Sequence, residues 1–122
     1  LQAMAGPTVR FMGRVDDKTL IDLYQRARML IFPQIEDFGI VAVEAQACGL
    51  PVLAYKDGGA LDTVIDDVTG AFFESQDPDT LIEAARRVPT GSDQACRENA
   101  LRFSYLAFEK GLDDQITLAL NA

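Results

Sequence analysis

The stretch from Pro33 to Pro51, PQIEDFGIVAVEAQACGLP, decides how the rest of the chain is read. It leaves an apolar run, crosses a loop carrying Glu36 and Asp37, and passes through Gly39 into a nearly all-apolar helix that ends at Gly49 and Pro51. A helix apolar on so many sides belongs in the interior, yet Glu44 lies within it. A carboxylate there must be paired, hydrogen-bonded or directed at something. Glu36 stands ahead of the helix and Glu44 inside it, with seven residues between them. Phe38, Gly39 and Ile40 open the helix, and a glycine at that point lets the backbone come close to whatever sits above. The free N–H groups of the first turn and the positive end of the helix dipole make a seat for an anion. Two carboxylates for hydroxyls, around a helix tip for phosphate, suit a nucleotide sugar.

Outward from this stretch, short apolar runs alternate with helical periodicity. Residues 8–12, TVRFM, form a β-like run ending at Gly13. Asp16 and Asp17 offer a cap for a helix with Leu20, Leu23, Tyr24 and Ala27 at helical spacing. Residues 29–32 read as a buried strand stopped by Pro33, and residues 51–55 as another. Lys56 to Gly59 is a turn, a short helix spans residues 60–65, and residues 71–74 form a fourth strand. Asp77-Pro78 starts a helix with Leu81, Ile82 and Ala85 on its inner stripe. Ser92 or Asp93 caps the next, with Ala95, Cys96, Ala100 and Leu101 inward, and residues 106–120 form the last. Such alternation predicts an α/β fold, a parallel sheet with helices on both faces. Ligands of these sheets lie beyond the carboxyl ends of the strands. Gly13, residues 33–39 and residues 56–59 all fall at that edge on this reading.

With 122 residues, the chain makes one domain. Its hydrophobic share of 48% and charged share of 25% are those of an ordinary soluble protein. No apolar run nears the ~20 residues of a membrane span, and no signal peptide is visible. A net charge of -8 argues against nucleic acid and anionic membranes as partners. An acidic domain that binds phosphate must use amides and dipoles, or basic residues from elsewhere. Cys48 and Cys96 match no metal spacing and read as reduced packing residues of a cytoplasmic protein. The absence of histidine removes the commonest general base.

The residues resemble the C-terminal, donor-binding part of a retaining glycosyltransferase with the GT-B fold, of family 4, also described as glycosyl transferases group 1. The resemblance runs from Val9 to the C-terminus through VRFMGRV, LYQRARMLIFP, EDFGIVAVEAQACGLPV, GGALDTV and VTGAFFESQDPDTL. Its most specific part is the pair Glu36 and Glu44 within FG-x(4)-EA-x-ACG-x-PV. It implies that Glu36 holds the transferred sugar and Glu44 the ribose. The backbone amides of Phe38, Gly39, Ile40 and Val41 then meet the sugar and diphosphate, Asp37 also belongs to the donor site, and Gly13 and Arg14 lie near the base. The wording is similar to mannosyltransferases of polysaccharide assembly, which points to GDP-mannose, with a UDP-sugar as the other donor. No metal or other cofactor is implied, and DPD at Asp77 to Asp79 reads as a helix cap.

The resemblance also implies missing parts. Residues 1–122 are expected to be a single partial domain, a Rossmann-like half lacking the acceptor domain and the early basic residues that clamp a diphosphate. The partners are then the nucleotide-sugar donor and the acceptor domain. The fragment is expected to be inactive alone, cytoplasmic or held at the inner face of the membrane by the absent part. It exposes a strand edge, residues 8–12 or a neighbour, that invites self-association. A sugar-nucleotide epimerase of the same fold and a binding-only domain are the alternatives.

Overall fold

A computed structural model describes residues 2–121. Its sheet has three parallel strands in the order β1 (Leu30–Phe32), β2 (Val52–Tyr55), β3 (Gly70–Phe73). The register places Leu30 beside Val52 and Val52 beside Gly70. Helix α1 (Asp17–Arg26) precedes the sheet, α2 (Ile40–Ala47) joins β1 to β2, and the short α3 (Ala60–Thr63) joins β2 to β3. Helices α4 (Pro78–Ala85), α5 (Asp93–Leu101) and α6 (Tyr105–Leu120) follow, and a single 3-10 turn lies at Gln2–Met4.

Alternation along the strands splits the interior into two layers. Phe32, Val52, Ala54 and Phe72 face α2 and α3, packing with Ala42, Ala45, Ala60 and Val64. Leu53, Ala71 and Phe73 face the other way, against Ala84 and Val88. Helices therefore cover both faces of a parallel α/β sheet, as the alternation predicts. Ile31 points to the second layer but is half exposed, because α4 packs against β2 and β3.

The caps follow the sequence signals. Asp16 Oδ1 accepts from the Thr19 amide at 2.8 Å, and Asp77 Oδ1 from the Thr80 amide at 2.9 Å, with Pro78 at the first helical position. Gly49 ends α2 in a left-handed conformation, φ 84°, its amide donating to Gln46 O.

Four expectations need correction. Residues 8–12 form no strand and are exposed; they pair with no strand among the described residues, and β propensity without a partner fixes nothing. In α5 it is Cys96, Asn99 and Ala100 that are buried, while Leu101 is 66% exposed. In α4 Ile82, read as part of the inner stripe, is 51% exposed, and Ala84 is the buried residue, because the face that meets β2 and β3 is set one position away. No residue of α6 is buried, so Leu112, Ile116 and Leu120 cover nothing among the described residues. No helix of the described residues is long and apolar enough to cross a membrane.

Candidate functional site

Three loops leave the carboxyl ends of the strands and are tied to one another. Gly59 N–H donates to Glu36 O at 2.6 Å, joining the loop after β2 to the loop after β1. Gln76 Nε2 donates to Pro33 O at 2.9 Å, and Lys56 Nζ lies 3.3 Å from Glu74 Oε1, which brings in the loop after β3. The contact between the first two loops is closer than any side chain would allow. A Cβ at Gly58 would sit 2.6 Å from Glu36 O, and one at Gly59 would sit 2.5 Å from Asp37 O and run into Phe38 O. Gly58 also needs its φ of +62°. The sequence reads this pair as part of a turn. It is a seat for the backbone of residues 36–38.

Gly39 turns the chain from that loop into α2 with φ 81° and ψ 62°, in the left-handed region. An added Cβ would lie 2.9 Å from Phe32 Cζ, so the close approach that glycine permits is to the core ring beneath it. With glycine at the cap position, no side chain caps the first turn of α2. Its leading amides, which lack intrahelical acceptors, are free of side-chain partners at the carboxyl edge of the sheet.

Glu36 and Asp37 are exposed in the loop before this tip, and Glu36 Oε1 accepts from Gln34 Nε2 at 3.2 Å. Helix α2 is buried on one face only, through Ala42, Ala45 and Gln46. Glu44 shares the opposite, exposed face with Ile40 and Ala47. The expectation of a helix buried on all sides is thus corrected. An eight-residue helix packed on one side has room for Glu44 outside, and among the described residues no hydrogen bond or ion pair holds it. Glu44 borders a groove of about 390 Å³ between α1 and α2, lined also by Asp17, Leu20, Tyr24 and Cys48. Burial raises the Tyr24 phenol above its ordinary pKa of 10.0, and the Glu44 carboxylate beside it adds to the shift.

Helical side chains lean toward the N-terminus, over the preceding turn. Glu44 begins only ~6 Å along the axis from Ile40, and it lines the groove to α1 beside Tyr24, Ala47 and Cys48. Ile40 is exposed and Val41 half-buried at that tip, and Phe38 is 43% exposed. Gly13 and Arg14 are exposed, Gly13 with φ 64°, and nothing lies within 4 Å of a Cβ placed there. No hydrogen bond or ion pair among the described residues joins these two to the tip.

The sequence reading missed a set of residues behind the site. The Phe38 ring meets Phe103 edge-on, with centroids 5.4 Å apart and planes at 70°. Arg102 sits over the Phe103 ring at 4.8 Å and donates from Nε to Asn99 Oδ1 at 2.7 Å. Asn99 Nδ2 in turn donates to Gln46 Oε1 at 2.6 Å and to Thr63 O at 2.8 Å. Gln46 Nε2 reaches Thr63 O and Ala42 O. The signal was present in part: Gln46 and Asn99 are large amides set in apolar stripes.

The family model for glycosyl transferases group 1 matches residues 1–118. The chain is 38% identical over 102 residues to a D-inositol 3-phosphate glycosyltransferase of Mycolicibacterium smegmatis, covering 80% of this chain and 24% of that protein. A protein of the same name from Mycolicibacterium gilvum is 41% identical over 102 residues, covering 80% and 23%. One from Corynebacterium kroppenstedtii is 35% identical over 115 residues, covering 88% and 26%. The chain spans about a quarter of the length of these relatives.

Proposed function

The chain belongs to the glycosyl transferases group 1 family, and from that premise we propose that it holds the nucleotide-diphosphate sugar of a retaining sugar transfer at the tip of α2. The observation that carries this reading is the uncapped, glycine-opened helix N-terminus at the carboxyl edge of a parallel sheet, with Glu36 in the loop before it and Glu44 on the turn after. Such an edge is where open α/β sheets take their ligands.

In this reading Glu36 accepts from hydroxyls of the transferred sugar and orients its anomeric carbon. Glu44 accepts from the ribose. The amides of Phe38, Gly39, Ile40 and Val41 face the diphosphate, and Asp37 borders the sugar. Cleavage of the bond from anomeric carbon to phosphate builds negative charge on the leaving diphosphate and positive charge on the sugar. The dipole of α2 stabilises the first. The carboxylate of Glu36 stabilises the second without forming a bond to it.

Gly13 and Arg14 reach the base only if the segment around residues 8–12 folds back over the site, and they enter as the outer part of the proposal. The base is guanine or uracil, GDP-mannose being the donor the wording of the motif favours. The relatives are named for D-inositol 3-phosphate, and the acceptor of this protein is assigned, with the basic clamp on the diphosphate, to sequence outside the matched quarter. The chain alone is then inactive in transfer but competent to bind donor nucleotide. Free Cys48 and Cys96 fit the reducing cytoplasm. Copies of the chain are expected to associate along β1, whose outer edge carries no strand among the described residues.

Calorimetric titration of GDP and UDP into the chain tests the reading. Binding of one of them, weakened at least tenfold by Glu44→Ala, supports the ribose contact. Undiminished affinity in that variant sinks it, and no binding of either nucleotide sinks the donor site as a whole.

A further inference from the structure

We propose that Phe103 is a positioning residue for the site, holding the loop of residues 36–39 against the body of the domain through its edge-on contact with Phe38. This rests on the donor reading for its functional meaning, while the mechanical part stands on the geometry alone.

The loop carries Glu36, Asp37 and the turn into α2, yet most of its side chains are exposed and few bonds fix it. Gly59 N–H to Glu36 O holds one side. On the other side stands Phe38, whose ring finds Phe103 from the turn between α5 and α6. Edge-to-face geometry directs the positive rim of one ring at the electron-rich face of the other. It therefore fixes angle as well as distance.

Phe103 is itself held. The Arg102 guanidinium lies over its ring, and that guanidinium is tied down at two points, Asn99 Oδ1 at 2.7 Å and Asp62 O at 3.1 Å. Asn99 is 5% exposed, and its amide is locked to Gln46 and to Thr63 O. Gln46 lies on α2, the helix whose first turn faces the proposed ligand. A closed path thus runs from α2 through α5 to the turn, across two aromatic rings to the loop, and back into α2. Buried polar members of such a path tolerate few alternative arrangements, because each displaced partner would be left unsatisfied. Every buried side-chain polar atom among the described residues has a partner.

The path lets the position of the loop depend on Phe103. It gives a conserved-volume test. Phe103→Leu keeps apolar bulk and loses the aromatic edge, whereas Phe103→Tyr keeps the ring. Amide exchange at Gly59 measures attachment of the loop, since its N–H donates to Glu36 O, and exchange at Lys56, whose N–H donates to Phe73 O, serves as the control within the sheet. The expected result for Phe103→Leu is exchange at Gly59 faster by about 2- to 12-fold, with Lys56 unchanged and the parent rate restored in Phe103→Tyr. Affinity for the nucleoside diphosphate should fall with Phe103→Leu and return with Phe103→Tyr.

Unchanged exchange at Gly59 in Phe103→Leu overturns the proposal, and so does equal acceleration in Leu and Tyr variants. If Phe103→Leu fails to fold, Phe38→Leu approaches the same contact from the exposed side, and parent-like exchange at Gly59 there overturns the proposal equally. Should neither GDP nor UDP bind the parent chain, the donor reading falls while the exchange result still decides the mechanical claim.

Discussion

Replacing Gly59 with alanine separates local backbone preference from the clasp between the two site loops. Gly59 has φ -63° and ψ -21°, ordinary right-handed helical values at the start of α3. On backbone preference alone, alanine there stabilises by about 0.4–1 kcal/mol. The structure predicts the opposite sign. The new Cβ would lie 2.5 Å from Asp37 O, where real contacts stay above 3.0 Å, so the loop must retreat by at least the difference, 0.5 Å, and further for Phe38 O. Overpacking of this kind costs about 1–3 kcal/mol. The retreat also stretches the 2.6 Å bond from Gly59 N–H to Glu36 O, a further loss of about 1 kcal/mol. After subtracting the backbone gain, a net loss of about 1–3.5 kcal/mol remains. Urea unfolding followed by circular dichroism, at a slope of about 1.5 kcal/mol/M, reads this as a midpoint lower by roughly 0.7–2.3 M. Nucleotide affinity should fall with it, because the displaced residues carry Glu36 and the amides of the tip. A Gly59→Ala protein as stable as its parent, with equal affinity, would show that the loops are not clasped and would remove the reason for placing Glu36 at the site.

Glu44→Ala should leave stability within about 0.5 kcal/mol, since the carboxylate is exposed and unpaired among the described residues, while nucleotide affinity falls by ~1.5–3 kcal/mol; a large stability loss in a melt would reassign Glu44 to packing. Asn99→Leu strands the Gln46 carbonyl and removes a donor from Thr63 O, both buried, and is expected to cost about 2–4 kcal/mol in urea unfolding. A cost under 1 kcal/mol would mean the network is not built as described. Burial raises the Cys96 thiol above its ordinary 9.0 and the Tyr24 phenol above 10.0. Both groups bind protons more tightly folded than unfolded, so their stabilisation is complete below the unfolded values and is lost as pH climbs past 9.0 and then through the folded values. Cys96→Ala should flatten the first part of that alkaline decline; an unaltered pH profile would exclude the thiol as its source.

Much of the fold was legible because it is written locally. Residues 30–32, 52–55 and 70–73 are short apolar runs that begin or end at proline, glycine or a charged residue, and each forms a strand. Asp16 and Asp77 announce their helices by caps that need nothing beyond the next turn. What failed depended on partners far away. The run at residues 8–12 has strand chemistry but pairs with no strand among the described residues. Helix α2 was expected in the interior on every side because it is apolar in composition, whereas burial was decided by which side meets α5 and α3. The same holds for the site. The loop carboxylates and Gly39 could be named from their spacing, but Phe38 meets Phe103, and Gly59 meets Asp37 and Phe38, across the fold. No periodicity records such meetings.

Helix α6 carries one more consequence. Its sixteen residues bury nothing, hold Gly111 near the middle, and are secured locally by the Ser104 hydroxyl at one end and the Lys110–Asp114 pair. Helices of that length are marginal in water without tertiary support. This part of the chain should therefore obey the rules of a tethered peptide, losing helicity gradually on warming while the sheet still holds. Heating would then give two superimposed signals, a slope and a step, and one melting temperature would describe neither.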